Sequence, residues 1–315
     1  MGGADPGVRA SFASTPAGSR PVQQRSLLLA AAPLLFVLIW STGWIVAKFA
    51  SFEADPLTFL SVRFLAALLV LVPIAALSGG SWPRSRTAIG HAMASGVLLH
   101  GAYLGGVWWA IAQGVPAGLS AVIAALQPLM TAALAPLLSH ERIGAHRMAG
   151  FGLGFLGIVI VVSPKLAGLS GVALADALVP LAVNVAAMAA VTVGTFWQKR
   201  FVPTGGLMPI AVLQYVGALV VVVPVALATE SLRFDVTATS LLTLAWSVVG
   251  LSIGAIGLLL HLIRCGEVSR AATLIYLVPP TAALEAWFFF GETLGLVQVL
   301  GMIVTACGVA LANRA

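Results

Sequence analysis

Runs of about 20 apolar residues follow one another along almost the whole chain, among them "LTFLSVRFLAALLVLVPIAAL" (57–77) and "LMPIAVLQYVGALVVVVPVALAT" (207–229). As a helix, a run of that length matches the hydrocarbon thickness of a bilayer, whereas membrane barrel strands alternate in runs of roughly 10. In hydrocarbon every backbone N–H and C=O needs a partner inside the segment, which leaves the helix as the spanning form. Only 8% of the 315 residues are charged and 60% are hydrophobic, where a soluble domain carries roughly a quarter charged residues. The chain therefore reads as an all-α membrane protein, with no stretch left for a soluble catalytic domain.

Charged, Gly and Pro breaks divide the chain into ten expected spans: 27–48, 57–78, 88–112, 117–138, 144–163, 174–197, 207–228, 240–263, 269–290 and 294–312. Residues 1–25, rich in Gly, Ala, Ser and Pro, have no apolar period and read as a disordered tail. Arg20 and Arg25 precede an apolar run, as in a signal peptide. No small-residue cleavage site follows, so the run is taken as a retained first span.

With an even number of spans the loops form two sets. One holds Arg9, Arg20, Arg25, Arg84, Arg86, Arg142, Arg147, Lys199, Arg200, Arg264, Arg270 and Arg314. The other holds Lys48, Lys165 and Arg233 among Glu53, Asp55, Asp176, Glu230, Asp235 and Glu292. The positive-inside rule puts both termini in the cytoplasm. The same scatter between spans accounts for the net charge of +6 without a nucleic-acid partner. Cys265 and Cys307 are too few for a disulfide framework or a metal site.

The chain also repeats itself at a constant offset of 151 residues. Gly43 matches Gly194, Lys48 matches Lys199, Pro73 matches Pro224, Pro128 matches Pro279, Glu141 matches Glu292, Gly150 matches Gly301 and Gly157 matches Gly308. A shift that holds without a gap through five spans is an internal repeat. Five is odd, so the second copy enters the membrane from the opposite side. Inverted repeats serve alternating access: the halves exchange conformations and open a midplane site to one side and then the other.

Three stretches resemble the EamA family of the drug/metabolite transporter superfamily. "AGLSAVIAALQPLMTAALAPLLSHERIGAHRMAGFGLGFLGIVIVV" (117–162) is similar to the fourth and fifth helices of an EamA domain. "SRAATLIYLVPPTAALEAWFFFGETLGLVQVLGMIVTACGVALANR" (269–314) is similar to its second copy, and "LIWSTGWIVAKFA" (38–50) to the first helix. The resemblance implies two inverted five-helix repeats, 26–164 and 174–314. It further implies an inner-membrane carrier that exports amino acids, other small metabolites or toxic compounds, without a cofactor. No Walker-type phosphate loop occurs in the chain.

Polar groups inside the spans are the candidate site residues. Arg63 lies about eight residues into the second span and Glu285 about seven before Glu292, so both sit roughly 10 Å below the outer boundary. A charge there calls for a partner or for water, and Arg63 with Glu285, or Lys48 with Glu285, is the expected ion pair or coupling group. Their repeat counterparts are Gln214 and Leu134, so any pair is one-sided. The expected pathway comprises Trp40, Thr42, Trp44, Lys48, His100, Trp108, Gln127, Asn184, His261 and Tyr276. It runs between spans one, three, four, six, eight and nine, beside the matched Pro128 and Pro279, which interrupt their helices. Lys48 also reads as an interfacial anchor, and the Trp residues as packing or interface groups.

Gly150, Gly154 and Gly157 form one smooth stripe on span five, and Gly301, Thr305 and Gly308 repeat it on span ten. Such stripes permit close helix contact within one chain or in a homodimer. They mark spans five and ten as scaffold rather than pathway. The leading expectation is a secondary exporter. Two alternatives stay open: an uncoupled metabolite facilitator and, from another class, a membrane enzyme or scaffold for lipid-linked substrates.

Overall fold

A computed structural model describes residues 22–139, 144–202, 205–255, 258 and 277–313. The described residues are helical, apart from connecting turns and one antiparallel bridge between Ala54 and Phe234. The helices are α1 (Val22–Glu53), α2 (Pro56–Leu77), α3 (Arg86–Gly96), α4 (Tyr103–Ala112), α5 (Ala117–Ile123), α6 (Leu126–Ser139), α7 (Ala145–Leu166), α8 (Gly171–Phe201), α9 (Leu207–Thr229), α10 (Ala238–Trp246), α11 (Val278–Phe290) and α12 (Leu296–Asn313). Helix occurs at each of the ten expected spans, and seven segments are long and apolar enough to cross a membrane. Spans three, nine and ten fall outside that seven: the third is divided, the ninth is described only from Val278, and the tenth is shorter.

The local chemistry explains several boundaries. Asp55 is extended and Pro56 opens α2, where its missing N–H is not needed and its fixed φ suits the first turn. Thr237 accepts from the Ser240 amide while Ser240 accepts from the Thr237 amide, a capping box that starts α10. Gly291, at φ +67°, ends α11 in the left-handed conformation that glycine adopts without strain.

One irregularity obeys the repeat, and a second interrupts span four. A π-helical turn at Val97–Ala102 joins α3 to α4. Shifting it by 151 gives 248–253, which lies inside the π-helical stretch Ser247–Ala255 that follows α10. Span four breaks at Ala124 and Ala125, where the Ala125 and Gln127 amides bond to the carbonyls of Val122 and Ala124, three residues back instead of four. π-Helical turns and mid-span breaks in membrane helices concentrate where a helix lines a site.

The most extensive interface joins α7 to α12. A Cβ at Gly150 would meet the backbone of Ala312 and Gly308, one at Gly157 the backbone of Thr305 and Gly301, and one at Gly308 the backbone of Gly154. Both glycine stripes are thus buried against each other within the chain. The stripe that suggested a homodimer through spans five and ten is occupied by this contact and is not free to serve one. Large apolar side chains instead face outward from these two helices, Phe155, Leu156 and Leu300 among them, as a lipid-facing surface requires.

Candidate functional site

A cavity of about 800 Å³ lies between α1, α4, the α5–α6 break, α8, α11 and α12. Trp40 and Trp44 face it from α1, Tyr103 from α4, Gln127 and Pro128 from the first broken span, and Pro279, Pro280 and Trp287 from α11. The matched prolines thus meet across one space. Span ten lines it too, through Met302, Thr305 and Val309, which corrects the expectation that this span is scaffold alone. Gly301 and Gly308 pack on α7, Thr305 sits at the edge of that contact, and Met302, Ile303 and Val309 on the adjoining face turn to the cavity. Among the described residues, span eight contributes no lining side chain.

Of the expected pathway residues, Trp40, Trp44 and Gln127 therefore line the cavity, and others are engaged elsewhere. Thr42 donates to the Ile39 carbonyl at 2.6 Å and accepts from Trp246 Nε1 at 2.9 Å, tying α1 to α10. Lys48 stands 5.4 Å from the centroid of the Phe52 ring. Asn184 is fully buried and donates to Ser120 Oγ at 2.7 Å, joining α8 to α5. His100 stacks on Tyr215 with centroids 4.8 Å apart and planes at 9°, in an aromatic layer that also holds Phe64. Trp108 is buried between Phe59 and Arg63. His261 and Tyr276 lie outside the described residues, as do Glu141 and Cys265.

Arg63 and Glu285 are not joined. Glu285 Oε1 accepts from Ser41 Oγ at 2.7 Å, between α11 and α1, and its Oε2 is buried without a partner. Arg63 packs against Trp108, its guanidinium 5.5 Å from the ring centroid. The one salt bridge among the described residues is Arg233–Asp235, so neither Arg63 nor Lys48 forms the expected ion pair with Glu285. Similar depth did not imply contact, because α2 packs chiefly on α9 and α11 on α1 and α5.

At one rim of the bundle, by contrast, three carboxylates meet several donors each. Glu230 accepts from the amides of Leu57 and Thr58 and from Thr58 Oγ1, all at 2.8 Å. Glu292 accepts from the amides of Ala117 and Gly118 at 3.0 Å. Both cap the first turn of a helix from the other repeat, where unpaired amides and the helix dipole attract an anion. Asp55 accepts from Ser231 Oγ at 2.7 Å and from the Arg233 amide at 3.0 Å. Partial burial works to raise its carboxyl, but these bonds and the Arg233 charge outweigh it and hold the group below its ordinary value.

Tyr103, Trp287, Ser41, Glu230 and Glu292 are the participants that sequence reasoning missed. Tyr103 and Ser41 carried a usable signal, as polar groups in mid-span. The capping role of Glu292 was hidden because its partners lie 174 and 175 residues away. Among the described residues no three His, Cys, Asp or Glu gather as a metal site.

The profile of the EamA-like transporter family matches this chain twice, over residues 25–163 and 179–314. A "Probable amino-acid metabolite efflux pump" of Salmonella typhimurium is 26% identical over 287 residues, covering 87% of this chain and 91% of that protein. The "Uncharacterized inner membrane transporter YedA" of Escherichia coli is 28% identical over 271 residues, covering 85% and 86%. A crystal structure with 14% sequence identity aligns with a TM-score of 0.61 over 91% of this chain and 96% of that one, a likeness of fold alone.

Proposed function

The chain belongs to the EamA-like transporter family, and from that footing we propose that it is a secondary exporter of amino acids or related small metabolites in the inner membrane. Ten spans, arranged as inverted repeats over 26–164 and 174–314 with both termini in the cytoplasm, alternate access to the cavity between them. One observation carries this reading: a helix irregularity is paired across the repeats. The π-helical turns at Val97–Ala102 and Ser247–Ala255 occur at repeat-equivalent places, and the matched Pro128 and Pro279 both face the cavity. Segments that depart from the α ladder hold their backbone bonds less tightly, so they are where two halves can rock about a fixed site.

The cavity suits a small organic molecule. Its volume exceeds that of an amino acid, and Trp40, Trp44 and Trp287 give it apolar walls with Gln127 and Tyr103 as polar points. Its position between the repeats supports substrate passage rather than chemistry on a lipid-linked group. Glu285 is the coupling candidate: a half-buried carboxylate with an unpartnered oxygen exchanges a proton between Ser41-bound and free states as the repeats move.

An uncoupled facilitator is the second reading. Glu292, the acidic residue that lines the cavity among those described, is held by the Ala117 and Gly118 amides, while Glu285 turns toward Ser41. Flux of radiolabelled amino acids into proteoliposomes, with and without a proton gradient, tests both. Flux that follows the gradient supports the coupled exporter, flux indifferent to it the facilitator, and no flux of any amino acid rejects the substrate class.

A further inference from the structure

We propose that Arg63 is an anion anchor beside this cavity, a subsite that takes the carboxylate of an otherwise apolar small molecule. The proposal rests on the transport reading only in treating the cavity as the substrate's. Arg63 is 6% exposed, and its Nε is buried without a hydrogen-bond partner. Among the described residues no carboxylate forms a salt bridge with it. Its surroundings are aromatic: Trp108 under the guanidinium, with Tyr103 and Tyr215 in electrostatic range.

A cation inside a span is costly to insert, and a single cation–π contact returns only part of that cost. Packing therefore leaves the guanidinium short of compensation. Its repeat counterpart, Gln214, is in a different condition, because its Nε2 donates to Ser95 Oγ at 3.0 Å. The unsatisfied donor belongs to one repeat only.

Tyr103 links Arg63 to the cavity: it is within electrostatic range of the guanidinium and also lines the cavity. Trp44 lines the cavity as well, and its Nε1 is a second buried donor without an acceptor. Trp44 stands nine residues inside Glu53, Arg63 seven inside Pro56 and Tyr103 nine inside Ala112. At 1.5 Å per residue all three lie roughly 10–14 Å below the outer helix ends. Of the three, Tyr103 and Trp44 line the cavity, and Arg63 and Trp44 each carry a buried donor without an acceptor. The planar fork of a guanidinium matches a carboxylate in geometry as well as charge.

The test compares benzoate with benzamide, which differ in a carboxylate against a neutral amide, by binding to the full chain in lipid nanodiscs. The wild-type chain is expected to bind benzoate about tenfold or more tightly than benzamide, as loss of a charge-assisted bond implies. R63Q should erase that preference, R63K should keep part of it, and W44F, which removes a donor open to both probes, should weaken benzoate more than benzamide because the charged acceptor loses the stronger bond. A wild-type chain with no preference for benzoate, or an R63Q chain that keeps it, overturns the proposal. Should R63Q fail to fold, R63K and W44F decide, and an undiminished preference in both overturns it. Amino-acid flux is read separately: its absence in a benzoate-selective chain sinks the substrate assignment and leaves the subsite standing.

Discussion

One rim of the helix bundle and the middle of its spans treat their charges differently. At the rim Glu230, Glu292 and Asp55 each accept two or three hydrogen bonds from backbone amides and hydroxyls. In the middle Glu285 has one bonded oxygen and one bare, while Arg63 and Trp44 each keep a buried donor without an acceptor. A saturated carboxylate holds one geometry and ties helices of the two repeats together. An unsaturated group in low dielectric is costly at rest and gains most from a proton or a ligand. The difference is what the proposed function requires: rim charges that serve the scaffold, and interior charges left available to a transport cycle.

The comparison breaks if the two regions respond alike to substitution. Glu230→Ala should have the largest effect on stability, because it strands the Leu57 and Thr58 amides and the Thr58 hydroxyl at a part-buried helix start. A loss of about 2 kcal/mol is expected, read as a lowered thermal midpoint in detergent. Glu292→Ala should follow with a somewhat smaller loss from two amides. If either variant changed the pH profile of flux while leaving the midpoint unaltered, the division between scaffold and cycle would be wrong.

Glu285→Gln should do the reverse. Its thermal midpoint should stay within about 1 kcal/mol of the parent, since the amide still accepts from Ser41, while flux loses its dependence on a proton gradient. An unchanged pH profile in this variant would remove Glu285 from the coupling role. Ser41→Ala is a milder probe of the same site. It removes the one hydrogen bond on Glu285, so it should displace the pH profile of flux without abolishing transport.

The smallest effect concerns Asp55. Its carboxyl is held below the ordinary value of 3.8 in the folded chain, so its contribution is complete above that value and is lost as pH falls through the depressed one. Exchange of the Asp55 and Asp235 amides, which donate to the carbonyls of Arg233 and Glu53, should accelerate only below about pH 4. In Asp55→Asn that acid-dependent step should disappear.

Much of this protein was legible from its residues. The apolar runs reported membrane helices because a bilayer admits little else, and helix appears at every expected span. The 151-residue offset announced two copies, and the paired prolines pointed to the cavity they now line. The glycine stripes reported close packing, since a missing Cβ can be read directly. What one sequence could not say is which helix each stripe faces, because the period marks a face and not its partner. The same limit misled the pairing of Arg63 with Glu285: depth follows from counting residues along a helix, but contact depends on which helices are neighbours. That neighbourhood was decided by the tertiary structure alone, where packing of α2 on α9 and of α11 on α1 left Glu285 to Ser41 and Arg63 to Trp108.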